Sequence, residues 1–260
     1  MKHNTKFISF YSHKGGVGRS MTLSNVAYLL AKDGFKVCII DFDLEAPGQH
    51  KNDLFIQNKL KKGLLELIFH YQEYYKDENA ESFDWDFNDY SVKSNIFDEL
   101  NTKSKTGDLY LIPSGNLNNP FYANELAKLD WTNFYQEGGS LFFTSLKLRL
   151  NFEKFDYVLI DSRTGFNDVF YISTLTLADT TVLISGMNRQ NVDGIKKAYE
   201  VLTSEKAENI YGKKNLILVN SPFPELDQAT LARRDHEISE EWEEFKKENI
   251  LQDVSKENKI

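Results

Sequence analysis

The chain is organised around one glycine-rich stretch, Tyr11-Ser12-His13-Lys14-Gly15-Gly16-Val17-Gly18-Arg19-Ser20. The apolar run at residues 7–10 predicts a strand before it, and residues 21–31, with apolar side chains at 23, 26, 27 and 30, predict a helix after it. Glycines let the backbone approach a ligand closely, and the free N–H groups of a helix N-terminus attract anions. This order of strand, glycine-rich turn and helix therefore predicts a phosphate-binding loop.

The loop departs from the general phosphate-loop pattern, G-x-x-x-x-G-K-[ST], at two positions. His13 occupies the first glycine position and Arg19 the lysine position, whereas an earlier lysine, Lys14, opens the run Lys-Gly-Gly-Val-Gly. The combination resembles the deviant Walker A loop of the ParA/MinD family of P-loop ATPases, in the variant that reads K-G-G-V-G-R. In that family the first lysine is the signature residue, and the resemblance extends over about residues 5–225.

Six apolar runs punctuate the chain, at residues 7–11, 37–40, 109–112, 157–160, 181–185 and 216–219. They are nearly continuous, which is typical of strands buried on both faces, and helical stretches lie between them. This alternation predicts an α/β fold with three layers, a mostly parallel sheet covered by helices on both faces. The resemblance implies the same architecture, the SIMIBI type of P-loop NTPase. Ligands of such sheets bind at the carboxyl ends of the strands.

Carboxylates follow two of the predicted strands. One strand ends in Asp41-Phe42-Asp43 and another in Asp161, four residues before Gly165. Carboxylates in such places can hold a Mg²⁺-bound water or orient the attacking water. The resemblance makes residues 41–48 switch I, with Asp41 near the metal and Asp43 positioning water. It makes residues 161–165 switch II, with Asp161 as the Walker B carboxylate.

Arg163 stands in switch II where the family often has proline. A contact with a phosphate or with a partner protomer is one interpretation of this residue. A surface ion pair is the other, and it is favoured because most surface arginines do no more.

The resemblance implies ATP and Mg²⁺ as ligands and assigns residues to them. The implied nucleotide contacts are Lys14, Gly15, Gly16, Val17, Gly18, Arg19, Ser20, Met21 and Asn220. The implied metal-associated residues are Ser20, Asp41 and Asp161, and the implied catalytic residues are Lys14 and Asp43. Asn220 matches the base-reading asparagine, although an asparagine before Ser-Pro is also an ordinary turn former.

Composition bounds the class of protein. The 260 residues suit a single P-loop ATPase domain, and the net charge of −8 disfavours nucleic acid as a partner without excluding a local basic patch. One cysteine, Cys38, suits a reducing cytoplasm. We expect no membrane association, because no apolar run reaches about 18 residues and the polar face of the predicted C-terminal helix is acidic.

Two regions fit the pattern less well. Residues 70–108 resemble an insertion, and their aromatics, Phe83, Trp85, Phe87 and Tyr90, either form a partner surface or anchor the insertion on the core, which is the commoner role.

Near the C-terminus, Ile238, Trp242 and Phe245 form an apolar stripe that we expect to dock on the core. The family has a further strand there. None is legible before Ile260, so the C-terminal end is either truncated or departs from the family.

The sequence leaves two functions open. The first is slow ATP hydrolysis coupled to an ATP-dependent homodimer switch that controls an unidentified protein partner. The second is a nucleotide-binding regulatory or scaffold protein with negligible turnover, for example in a bacterial defence or partitioning system. Arg19 is the residue that separates the two functions. Its planar guanidinium can either support phosphoryl transfer to water or hold ATP and slow its hydrolysis. A P-loop tyrosine kinase would need a tyrosine-rich tail, and residues 226–260 contain no tyrosine.

Overall fold

The apolar runs of the sequence form one seven-stranded sheet in this computed structural model, which describes residues 4–55, 62–99, 106–221, 236, 239, 240 and 243. The strands are β1 (Lys6–Tyr11), β2 (Val37–Asp41), β3 (Val92–Lys93), β4 (Leu109–Ile112), β5 (Tyr157–Asp161), β6 (Thr180–Ser185) and β7 (Asn215–Asn220). Their order is β3-β4-β2-β5-β1-β6-β7, and every pairing is parallel except that of β3 with β4. The mostly parallel sheet and all six predicted strands are confirmed. The two-residue edge strand β3 was not predicted, because so short a pairing leaves no periodicity.

Helices cover both faces of the sheet. They are α1 (Arg19–Lys32), α2 (Leu64–Lys76), α3 (Ile96–Glu99), α4 (Tyr122–Leu126), α5 (Trp131–Gln136), α6 (Gly139–Phe152), α7 (Asp168–Tyr171), α8 (Arg189–Leu202) and α9 (Glu205–Tyr211). Successive residues of β2 lie in different hydrophobic cores. Cys38 packs with α2 and α6, whereas Ile39 packs with α1. A third core joins α8 to β6. Burial on both faces explains why the strand sequences do not alternate with polar residues.

The aromatic residues of the 70–108 region pack inward. Trp85, Phe87 and Tyr90 are no more than 5% exposed, and Phe83 packs against the same core as α2 and α6. They anchor this region to the sheet, as their commoner role predicts. The apolar stripe near the C-terminus lies outside the described residues.

Strand register brings the predicted acidic residues together. Asp41, the last residue of β2, pairs directly with Asp161, the last residue of β5, and Phe10 of β1 lies on the other side of Asp161. At the same edge, Ser185 of β6 pairs with Asn220 of β7. Residues far apart in the sequence therefore meet where the loop after β1 begins.

Candidate nucleotide site

The loop between β1 and α1 has the backbone of an anion cradle. Gly16 and Gly18 have φ angles of +80° and +79°, a left-handed conformation that favours glycine. A Cβ atom at Gly15 or Gly16 would meet nothing within 4 Å, so this side of the loop faces open space. The α1 N-terminus has neither a side-chain cap nor an acidic residue in its first turn, which leaves its N–H groups available to an anion.

Arg19 lies beneath this cradle and joins it to both switch segments. Its Nε donates to Asp161 Oδ1 at 2.7 Å, and its Nη2 donates to Asp43 Oδ2 at 3.0 Å. Arg19 and Asp43 are each 8% exposed and Asp161 is 1% exposed. One guanidinium fork thus connects the phosphate loop, switch I and switch II in a single buried ion-pair network.

Arg19 stays charged although it is buried. Burial disfavours its charged form, but Asp161 and Asp43 outweigh that cost and raise the pKa of Arg19 above its ordinary value. The carboxylates gain a neutralising partner in a place where two isolated negative charges would be costly.

Asp41 organises switch I from within. Its Oδ2 accepts the backbone N–H groups of Gly48 and Gln49 at 3.2 and 3.1 Å, and its Oδ1 accepts that of Asp43 at 3.3 Å. Burial and the nearby charge of Asp161 raise the pKa of Asp41 to about 7, although the Gln49 N–H acts in the opposite direction. Since both oxygens already accept hydrogen bonds from the loop, Asp41 shapes switch I in this conformation.

Gln49 is a member of the site that the sequence did not reveal. Its Nε2 donates to Asp161 Oδ2 at 2.6 Å and to the Ser20 carbonyl at 3.3 Å, and its Oε1 accepts from Ser24 Oγ at 2.8 Å. A glutamine after a Pro-Gly turn resembles any polar loop residue, and only the register of β2 against β5 places it beside Asp161. No sequence signal distinguished it.

The remaining predicted contacts surround the same loop. Lys14 is exposed, its carbonyl accepting from Ser12 Oγ at 3.0 Å, and Met21 is 65% exposed on the first turn of α1. Asn220 is half-buried at the end of β7, and the hydroxyl of the following residue, Ser221, lies 3.6 Å from where a Cβ on Gly18 would stand. The structure therefore places the end of β7 next to the phosphate loop.

Arg163 forms an ion pair with Glu45 of switch I. The two side chains are 33% and 54% exposed, so this is the surface pair that the default interpretation predicts. It also ties switch II to switch I on the outside, in parallel with the buried link through Arg19.

His13 connects the loop to α8. Its ring lies so close to Gly194 that a Cβ there would stand 2.1 Å from the ring atoms, and its centroid is 5.5 Å from that of Phe166, just after switch II. Burial, Lys14 and Lys197 lower the pKa of His13, which favours the neutral imidazole.

Several buried polar atoms around the loop have no hydrogen-bond partner within the described part of the chain. They are the Tyr11 hydroxyl, His13 Nδ1, Arg19 Nη1 and Asn191 Oδ1. A buried polar group without a partner costs free energy, and a ligand that reached one of these atoms would remove that cost.

A protein-family model described as an AAA domain matches residues 5–214. The chain belongs to this family. This family match confirms the ParA/MinD-type P-loop resemblance that the deviant Walker A motif indicated. Among curated proteins, the flagellum site-determining protein YlxH of Helicobacter pylori is 42% identical over 67 residues, 26% of this chain and 22% of that protein. The chain thus spans about a fifth of the length of this curated relative.

Solved structures of this ParA/MinD type share the fold. McdA from Cyanothece in complex with ATP matches with a TM-score of 0.61 at 19% identity, over 92% of this chain and 80% of that chain. MinD from Pyrococcus horikoshii OT3, complexed with Mg-ADP, matches with a TM-score of 0.56 at 16% identity, over 89% of this chain and 77% of that chain. The MinC:MinD complex from Aquifex aeolicus matches with a TM-score of 0.54 at 20% identity, over 83% of this chain and 68% of that chain.

Two kinds of site are absent from the described residues. No helix there has both the length and the apolar character needed to cross a bilayer. Nor do three or more His, Cys, Asp or Glu side chains of that part converge in a way that would hold a metal ion by themselves.

Proposed function

We propose that this ParA/MinD-type protein binds Mg²⁺-ATP in the cradle at residues 14–20, hydrolyses it slowly, and uses the bound nucleotide to switch between a monomer and a dimer with different affinity for a protein partner. The observation that carries the proposal is Arg19, buried beneath an uncapped phosphate cradle and paired with Asp43 and Asp161. A triphosphate at the loop would compete with these carboxylates for the guanidinium, and so would alter both switch segments together.

The residues present fit ATP and its metal. Gly15 and Gly16 leave open space at the loop, and Arg19 Nη1 is a buried donor that has no partner in the described chain. Ser20 in the first turn of α1 and Asp161 behind it are oxygen donors of the kind that Mg²⁺ prefers. A protein site with few carboxylates suits Mg²⁺, because this ion usually shares its shell with waters and substrate phosphates. When bound, it would neutralise charge on the phosphates.

The chain's own residues would then divide the work. Lys14 and Arg19 would stabilise the negative charge that develops during phosphoryl transfer to water. Once Arg19 turns toward the phosphates, the Asp43 carboxylate loses its guanidinium partner and becomes able to orient the attacking water. Asn220 would contact the base through its amide, which both donates and accepts hydrogen bonds.

Related proteins support the same reading of the ligand and of the output. The McdA structure contains ATP, the Pyrococcus MinD structure contains Mg-ADP, and the Aquifex MinD structure contains a protein partner, MinC. We propose a homodimer with Lys14 reaching the partner protomer's phosphates, as the signature lysine of the family implies. We also propose a cytoplasmic location, which the buried free thiol of Cys38 suits.

A second function is favoured by the same arginine. If Arg19 kept its contact with Asp43 after ATP bound, Asp43 could not orient water, and the protein would hold ATP without turning it over. That outcome is a nucleotide-gated regulatory or scaffold protein.

Phosphate release from Mg²⁺-ATP by the purified protein separates the two functions. We expect slow release that falls at least about tenfold in Asp43→Ala, in line with the loss of a water-positioning group. The exposed Asp89→Ala is the matched control and should release phosphate at the wild-type rate. ATP binding without release in the wild-type protein would favour the scaffold function, and an absence of ATP binding would contradict both.

A further inference from the structure

Gln49 connects four residues on three elements of the nucleotide site through its side chain and its backbone N–H. Its side chain reaches Asp161 of β5 and both Ser20 and Ser24 of α1, and its N–H donates to Asp41 of β2. It is 1% exposed, and Ser24 is 3% exposed. Because the side chain is buried and its amide has partners at both ends, these hydrogen bonds restrain its orientation.

The two oxygens of Asp161 have different partners. Oδ1 accepts from the Arg19 Nε at 2.7 Å, whereas Oδ2 accepts from the Gln49 Nε2 at 2.6 Å. If Arg19 leaves for a phosphate, Oδ1 becomes free, but Gln49 still holds Oδ2. The Asp161 carboxylate would then keep its orientation after Arg19 has moved, when its free oxygen can face Mg²⁺.

Building on the proposed function, we infer that Gln49 is a positioning residue: it orients the Asp161 carboxylate and the Ser20 turn toward Mg²⁺, and thereby sets the metal dependence of ATP binding. Its Oε1 lies 2.8 Å from Ser24 Oγ, whose single hydroxyl proton is shared between that oxygen and the Ser20 carbonyl at 2.9 Å. The Asp161 carboxylate and the Ser20 carbonyl only accept hydrogen bonds, so they fix Nε2 as the end of the Gln49 amide that faces them, and Ser24 supports this orientation from the Oε1 end.

The chemistry of this place explains why an amide is present. A glutamate of the same length would add a third carboxylate beside Asp41 and Asp161 and would lose the N–H donor. A leucine would fill the space without donating at all. Only a neutral side chain that donates at one atom and accepts at the next satisfies both Asp161 and Ser24.

The test measures ATP binding by calorimetry with and without Mg²⁺, using Gln49→Leu. Partners behind a metal ligand typically change metal affinity by about 10- to 100-fold. We expect the Mg²⁺ concentration that gives half-maximal enhancement of ATP binding to rise at least about tenfold. ATP binding in EDTA should stay within about twofold of the wild type, because the cradle at residues 14–18 is untouched. Gln72→Leu, a glutamine that pairs with Glu137 away from the site, is the control and should match the wild type.

Separate results bear on the two proposals. Wild-type protein that binds no ATP would overturn the proposed function. Wild-type protein with Mg²⁺-dependent binding, together with an unchanged Mg²⁺ dependence in Gln49→Leu, would overturn the role of Gln49 alone. Equal weakening with and without Mg²⁺ would also overturn it, since that result indicates general damage. If Gln49→Leu does not fold, Ser24→Ala provides the measurement, with a smaller shift in the same direction expected and no shift contradicting the inference.

Discussion

At the scale of single residues, arginine in place of the usual lysine explains the buried ion-pair network of the site. A guanidinium is a planar fork, and here two of its nitrogens reach two different carboxylates at 2.7 and 3.0 Å. A lysine ammonium is a single point of charge on a longer flexible stem and would bridge them less well. Arg19 therefore stabilises this arrangement of the two carboxylates as well as carrying a charge suited to phosphate.

Removal of this guanidinium leaves two buried carboxylates without their cationic partner. We expect Arg19→Ala to lower the free energy of unfolding without nucleotide by about 3–5 kcal/mol at neutral pH, because breaking a buried ion pair exposes the full cost of its desolvated partners. Urea denaturation measures this loss. Arg163→Ala removes a half-exposed pair instead and should cost less than about 1 kcal/mol. Equal losses in the two variants would contradict the importance of the buried network.

At the scale of secondary-structure elements, α8 supports the phosphate loop directly. Gly194 of α8 lies against the His13 ring, and a Cβ at Gly186, just before the helix, would stand 3.1 Å from Val17. The absence of side chains at these glycines allows the helix and the loop to approach closely. A change in the loop therefore has a direct route to a helix on the surface of the molecule.

Gly194→Ala tests this contact. The new methyl group would stand 2.1 Å from the His13 ring, so the ring or the helix must move. We expect a loss of about 1–3 kcal/mol in the free energy of unfolding, typical of overpacking, together with weaker ATP binding. Gly48→Ala, where a Cβ meets nothing within 4 Å and φ is −133°, is the control and should be nearly neutral in stability. A Gly194→Ala protein of wild-type stability and ATP affinity would show that α8 and the loop are not coupled.

At the scale of the whole molecule, the sequence predicted the sheet and its strands better than the side-chain contacts within the site. Continuous apolar runs identify strands buried on both faces. The order of the motifs predicts that Lys14, Asp43 and Asp161 lie together at the edge formed by the carboxyl ends of those strands. Neither feature reveals that Gln49 reaches Asp161, because that contact depends on strand register and on a loop path with no periodicity. The pairing of Arg19 with carboxylates was hidden for the same reason, since motif matching assigned Arg19 only to phosphate.

An ATP-dependent switch between monomer and dimer changes the mass of the particle in solution. Light scattering should give the mass of one chain without nucleotide and twice that mass with Mg²⁺ and a non-hydrolysable ATP analogue. Lys14→Ala should bind the analogue but keep the mass of one chain, because Lys14 is proposed to act across the dimer. Wild-type protein that binds the analogue and keeps the mass of one chain would contradict the ATP-dependent dimer switch.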